Sequence, residues 1–300
     1  MRKSTQHFLE REGVQGWLMI APNTLGLLVF YLIPIGWSIV LSFFSWDGLS
    51  PMQFAGLSNL CGLFSDASFL LSVRNTLIYC FFVVPAIVVL ILVFGMLLTR
   101  NRKGVSFLRT LYFLPTMTMP VAAALIWKWL LNSQYGLVNQ VLAFLGITPI
   151  IWLTDVHHIL FCVMLVGIWL GVAYDLIIII AGIKGIPQMY YEAAEIDGAS
   201  SAYQFFFITL PLVTPSLFFI VITQMINSFK VFDSASVILG VDPPLSLWNA
   251  GSTIVMHIYQ DGFVSFNMGY SAAESFFLFL MVLIITILQF KVQKKWVHYA

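Results

Sequence analysis

The chain has 300 residues, 60% of them hydrophobic and only 9% charged, with a mean hydropathy of +0.94. Soluble domains carry about 25% charged residues, so this is the composition of a protein that crosses a bilayer several times. A formal net charge of +1 gives nucleic acid no electrostatic footing.

The three cysteines, Cys61, Cys80 and Cys162, form no CxxC pair, and nothing in their spacing points to a metal site or a disulfide framework. Two of them sit in apolar runs, where cysteine behaves as a small hydrophobe.

The basic N-terminus is followed by an apolar run over residues 17–44. A secretory signal has an apolar region of about 7–15 residues and a small-residue cleavage site, so this longer run reads as an uncleaved first span. A transmembrane helix needs about 20 apolar residues, and five further stretches qualify: 75–99, 110–131, 159–183, 207–229 and 268–290. Pro115 and Pro120 are expected to kink the third. The entry of the fifth is expected near Pro211. The fourth is interrupted by Asp175, and the sixth carries Glu274 in its first turns.

Lys and Arg mark the cytoplasmic side of a membrane protein. Arg2, Lys3, Arg11, Arg100, Arg102, Lys103, Arg109, Lys184, Lys291, Lys294 and Lys295 fall on one side, eleven of the fourteen basic residues. Both termini and the connection after span four are therefore expected to be cytoplasmic. The opposite connections mix turn residues with Trp46, Trp152 and Trp248, which suits folded outer loops as well as plain turns with interfacial aromatics. No stretch outside the spans is long enough for a core of its own.

The connection over residues 186–204 reads as an elbow. Pro187 suits the first turn of a short helix, 188–196. Its acids, Glu192, Glu195 and Asp197, fall too late to favour the dipole at its start. Gly198 can take the left-handed conformation that ends a helix, and Ser200 or Ser201 can cap the next one. Ala193 and Ala194 give it a smooth side that a partner can approach.

This elbow, Glu192-Ala193-Ala194 with Gly198 and then Ile208-Thr209-Leu210-Pro211, resembles the EAA loop of ABC-importer permeases. Arg74-Asn75-Thr76, Phe107-Leu108-Arg109-Thr110 with Phe113-Leu114-Pro115, Ser228-Phe229-Lys230-Val231-Phe232-Asp233 and Gly269-Tyr270 are similar to further motifs of the carbohydrate branch, the maltose- and glycerol-phosphate-type permeases. The resemblance covers about three quarters of the chain, from Arg74 onward. It implies an all-α polytopic protein of six transmembrane helices with the MetI-like, type I importer fold. It also implies a cytoplasmic N-terminus (1–16), a first helix and outer loop (17–73), a core permease domain (74–290) and a cytoplasmic tail (291–300). The implied location is a bacterial inner membrane. The implied partners are a second homologous permease, two ATP-binding subunits and an external solute-binding protein. Glu192, Ala193, Ala194, Asp197 and Gly198 would then couple to an ATPase. The positions of Asp175 and Glu274 are uncharged in the family pattern, and Gly240-Val241-Asp242-Pro243-Pro244 departs from its Gly-Gly-Gly-Pro.

No catalytic set is present. GxxxxGK[ST] and HExxH are absent, and Lys184 in Gly182-Ile183-Lys184-Gly185 matches neither. The chain is expected to be no enzyme and to bind no cofactor; the resemblance places ATP and magnesium in the partner subunits. His157-His158 reads as an interfacial pair rather than a metal site.

A charge at mid-membrane costs about 2.5–3.5 kcal/mol on insertion scales, so Asp175 should face the bundle interior. Tyr174 adjoins it, Leu170 and Tyr174 share a helical face, and Gly171 leaves room there for a ligand. The stretch Trp169-Leu170-Gly171-Val172-Ala173-Tyr174 resembles the family's sugar-site pattern. Gln224, Asn227 and Ser228 form a polar stripe on span five, equally suited to sugar hydroxyls or to interhelical hydrogen bonds. A proton-coupled secondary carrier using Asp175 and Glu274 is the rival reading; it leaves the elbow unexplained.

Overall fold

A computed structural model describes residues 12–99 and 104–297. The basic residues Arg2, Lys3, Arg11, Arg100, Arg102 and Lys103 lie outside that range. The described chain is helical apart from one two-stranded antiparallel ribbon, β1 (Phe44–Ser45) with β2 (Gln53–Phe54), a small correction to the all-α expectation.

Among the described residues, the first compact unit comprises 12–63 and 260–277. Its N-terminal rod runs through α1 (Glu12–Leu27), a π-helical turn (Leu28–Leu32) and α2 (Ile33–Leu41). The rod ends at Leu41 instead of residue 44, because Phe44 pairs with Phe54 in the ribbon. α3 (Ser58–Leu63) follows, and its Asn59 amide donates to the carbonyls of Ser42 and Phe44 at 3.0 and 2.9 Å. Residues 268–277, the first part of α16 (Met268–Gln293), belong to this unit. A side chain at Gly269 would overlap the Phe44 carbonyl, and the Gly269 amide donates to the Trp46 carbonyl at 3.2 Å.

The second unit comprises residues 64–259 and 278–300. It is built on α4 (Ala67–Thr99) and α8 (Ile159–Lys184). α4 starts at Ala67, so the first outer loop is shorter than the 17–73 boundary implied. Small residues let the two helices approach closely, the usual device where lipid removes any hydrophobic drive between helices. A Cβ at Gly167 would overlap the Tyr79 hydroxyl, one at Gly171 the Ile87 side chain, and one at Gly95 would stand 3.1 Å from Ile179.

The third and fifth spans are broken more sharply than a kink. α5 (Val105–Phe113) and its 3-10 extension to Met117 meet α6 (Pro120–Leu130) at 106°. Pro115 and Pro120 lack the N–H groups that would carry the helix through. The segment Ser201–Leu212 meets α12 (Thr214–Phe229) at 65°, with Pro211 and Pro215 on either side of Val213. It contains α10 (Ser201–Gln204), a π turn (Phe205–Thr209) and α11 (Leu210–Leu212). Among the described residues, four helices are long and apolar enough to cross a membrane, or up to six if each bent pair is one span.

The connections around α7 (Leu137–Phe144) and after α12 are folded. Around α7, the buried Asn139 donates to the carbonyls of Ser133 and Ile150 and accepts from the Ile150 amide and the Trp152 indole. Asp155 accepts from the His157 amide at 2.9 Å and pairs with the His158 ring at 3.1 Å. These two partners hold its carboxyl below the usual carboxylate range, the amide contributing most. After span five come α13 (Asp233–Leu239), α14 (Leu245–Gly251) and α15 (Ile254–Tyr259). Asn75 binds the carbonyls of Asn249 and Ser252, and the Thr76 hydroxyl accepts from the Ile254 amide at 3.1 Å. The Arg-Asn-Thr motif thus pins this loop to α4. Arg109 donates to the Leu98 carbonyl, one of the orphan acceptors at the C-terminal end of α4.

Candidate functional site

A cavity of about 470 Å³ opens between α4, α8, α12 and the segment that follows α12. This is within the range of small-molecule pockets. α8 contributes Gly167, Leu170, Gly171 and Tyr174; α12 contributes Gln224, Asn227 and Ser228. Tyr174 is 59% exposed and stands out as a flat aromatic surface. Six of the seven predicted substrate residues therefore line one wall.

Asp175 is the exception. It is fully buried and does not line the cavity. Its Oδ2 accepts a 2.7 Å hydrogen bond from the Gln224 amide, while its Oδ1 has no hydrogen-bond partner among the described residues. The carboxyl thus acts from behind the wall, taking one of the two N–H donors of Gln224, which itself lines the cavity. Gly171 also differs from expectation. The space vacated by its side chain is filled by Ile87, and the Gln224 nitrogen lies 3.2 Å from where its Cβ would be. Trp169 packs edge-on against Trp127, 6.2 Å between ring centroids, and forms no part of the wall. Glu274 is likewise fully buried and does not line the cavity.

Sequence reasoning missed Tyr79, Lys230, Asp233 and Ser234 on the same wall. The Ser-Phe-x-Val-Phe-Asp motif was the available signal, since it carries three of them or adjoins them.

The elbow has the expected local form. α9 (Met189–Ile196) is short, and Gly198 follows it at φ +75°, left-handed as the turn requires. The Ser200 hydroxyl caps α10 by accepting from the Tyr203 amide at 3.3 Å. Because α9 begins at Met189, Glu192 does fall in its first turn, where a carboxylate is favoured by the dipole. The smooth side also changes. Met189, Ala193 and Ile196 share the exposed face, with Ile196 87% exposed, whereas Ala194 is half-buried. Glu192, Asp197 and Gly198 are exposed. An apolar face thus lies bare beside a polar turn.

With this geometry in view, comparison with known proteins is informative. Residues 59–298 match the family model described as "Binding-protein-dependent transport system inner membrane component". The probable ABC transporter permease YesP of Bacillus subtilis is 33% identical, covering 100% of this chain and 96% of that protein. The sn-glycerol-3-phosphate permease UgpA of Agrobacterium fabrum is 31% identical over 95% and 96% of the two chains. The arabinooligosaccharide permease AraP of B. subtilis is 30% identical over 92% and 87%. A chain of a bacterial alginate ABC transporter, solved in complex with an alginate pentasaccharide-bound periplasmic protein, superimposes with a TM-score of 0.82 at 21% identity. It covers 96% of both chains and establishes the fold as the MetI-like permease fold. None of these relatives favours a proton-coupled carrier. The chain therefore belongs to the family of inner-membrane components of binding-protein-dependent transport systems, as a membrane-embedded permease subunit of an ABC importer.

Proposed function

We propose that this subunit forms one side of the path for a neutral saccharide delivered by an external binding protein. α9 would dock on a cytoplasmic ATPase subunit, one of a pair, which supplies ATP and magnesium. The observation that carries the substrate class is the wall itself: an exposed Tyr174 for a sugar face, with Asn227, Ser228 and Gln224 for hydroxyls. Relatives named for arabinooligosaccharides, and a structural neighbour crystallised with alginate bound to its partner protein, support a saccharide. UgpA is named for a phosphate ester, which calls for cationic side chains. Here Lys230 and Asp233 line the cavity together and offset one another, and Asp175 lies directly behind Gln224. That balance supports a neutral ligand. A second, homologous permease would close the open side on which Tyr174 stands.

Uptake by the intact complex tests this reading. Tyr174→Ala and Asn227→Ala are each expected to lower uptake about tenfold at unchanged protein level, the equivalent of about 1–1.5 kcal/mol of contact energy. Wild-type uptake in both variants would remove the cavity from the path. A phosphate ester as natural substrate would overturn the neutral saccharide.

Charge distribution supports cytoplasmic termini and a cytoplasmic elbow in a bacterial inner membrane. Cysteine labelling checks it in a Cys61→Ser background, since Cys61 is exposed. A cysteine at Val241, 94% exposed, is expected to react with an impermeant thiol reagent added from outside, and one at Ser106 is not. Reversed labelling would place the elbow on the wrong side for ATP.

A further inference from the structure

Thr209 is a fully buried polar residue at the end of the π turn Phe205–Thr209. Its hydroxyl lies 2.9 Å from the Tyr191 hydroxyl and donates to the Gln204 carbonyl at 3.3 Å. Tyr191 stands on α9 opposite the exposed face of Met189, Ala193 and Ile196, by the 3.6-residue period. The short helix therefore has two working sides: one bare, and one fastened to the inner half of span five.

The inner half then breaks from α12 by 65° at Val213. Across the break, the Thr214 hydroxyl donates to the Pro211 carbonyl at 2.6 Å, so an acceptor that the break frees is satisfied locally. Beyond it, α12 leads to Gln224, Asn227 and Ser228 on the cavity wall. π turns mark functional sites in helices, and a helix with an interrupted ladder bends more easily there than elsewhere.

We propose that the Tyr191–Thr209 contact is the clasp that makes α9 and the segment Ser201–Leu212 one rigid piece, turning about Val213, so that movement of α9 reaches the cavity wall through α12. This rests on the docking role assigned to α9 above. Tyr191 and Thr209 are positioning residues: neither lines the cavity nor faces the docking partner.

The test uses the assembled complex, purified with its ATPase subunits and reconstituted in lipid nanodiscs. Tyr191→Phe and Thr209→Val each remove one hydroxyl and keep the side chain's volume. The reporter is Asn227→Cys in the Cys61→Ser background, whose maleimide labelling rate is measured with and without ATP plus vanadate. In the otherwise wild-type complex, that nucleotide state is expected to change the rate severalfold. In each variant the change is expected to fall at least fivefold, while the ATP hydrolysis rate stays within twofold. The double variant should match the singles, since both remove one contact. A wild-type change in labelling in either variant would overturn the clasp. Loss of the ATPase subunits from the variants would also overturn it, because the contact would then be shaping the docking face and not transmitting its motion. If no ATPase accompanies the wild-type chain, the docking role itself fails, and the clasp with it.

Discussion

Replacing Gly171 with leucine is expected to abolish uptake and to lower the melting temperature of the solubilised complex by several degrees. A Cβ there overlaps the end of Ile87 and stands 3.2 Å from the Gln224 nitrogen. Ile87 is fully buried on α4 and has nowhere to swing. Overpacking of this kind costs about 1–3 kcal/mol. Displacing Gln224 would also strip Asp175 of its hydrogen bond, and leaving a buried acceptor unsatisfied costs about 1–3 kcal/mol. Gly171→Ala should be milder, because a single methyl asks only for a shift of the Ile87 terminus. Thermal unfolding followed by tryptophan fluorescence, with uptake measured alongside, checks both. An unchanged melting temperature in the leucine variant would mean that α4 and α8 do not touch at this level.

The second large effect is expected at Gly198, and there stability should not change. Gly198 is exposed, with nothing within 4 Å of a Cβ built on it, yet its φ is +75°. Leucine would meet no neighbour and would still resist the left-handed backbone by about 1–2 kcal/mol. The turn between α9 and α10 would open, and ATP hydrolysis stimulated by the binding protein is expected to fall about tenfold, with normal membrane abundance. Asparagine tolerates this conformation, so Gly198→Asn should keep most of the activity. Full stimulation in Gly198→Leu would remove the elbow from coupling.

These two glycines show what was readable in the chain. Gly198 declared itself, because a helix stop between two apolar runs is a local matter of backbone conformation. Gly171 misled, because its absent side chain serves a neighbour from α4, and only the packed structure says who fills the gap. The same distinction runs through the cavity. Leu170 and Tyr174 share one face of α8, and Asn227 and Ser228 one face of α12, by helical period alone. Asp175 sits one residue on and turns inward to Gln224. Lys230 and Asp233 looked like charges at the end of a span, and they reach the wall because the chain turns at Lys230 into α13. The prolines of spans three and five announced bends, but not their size. An angle of 106° or 65° depends on where the second half finds its packing, and no local rule sets that.

The buried carboxyl of Asp175 has a consequence for how the protein is made. Its partner Gln224 lies 49 residues further along the chain. At a synthesis rate of about 5–20 residues per second, the ribosome delivers that partner about 2–10 s after the acid. During that interval span four must enter the lipid with an unpaired acid in it, or wait at the translocon. Directly after Asp175 the sequence runs Leu176-Ile177-Ile178-Ile179-Ile180. Each such residue favours insertion by about 0.3–0.6 kcal/mol, so the five together roughly cancel the acid's penalty. The isoleucine run is thus a biogenesis device as well as packing: it carries the acid into the membrane ahead of the residue that will neutralise its isolation.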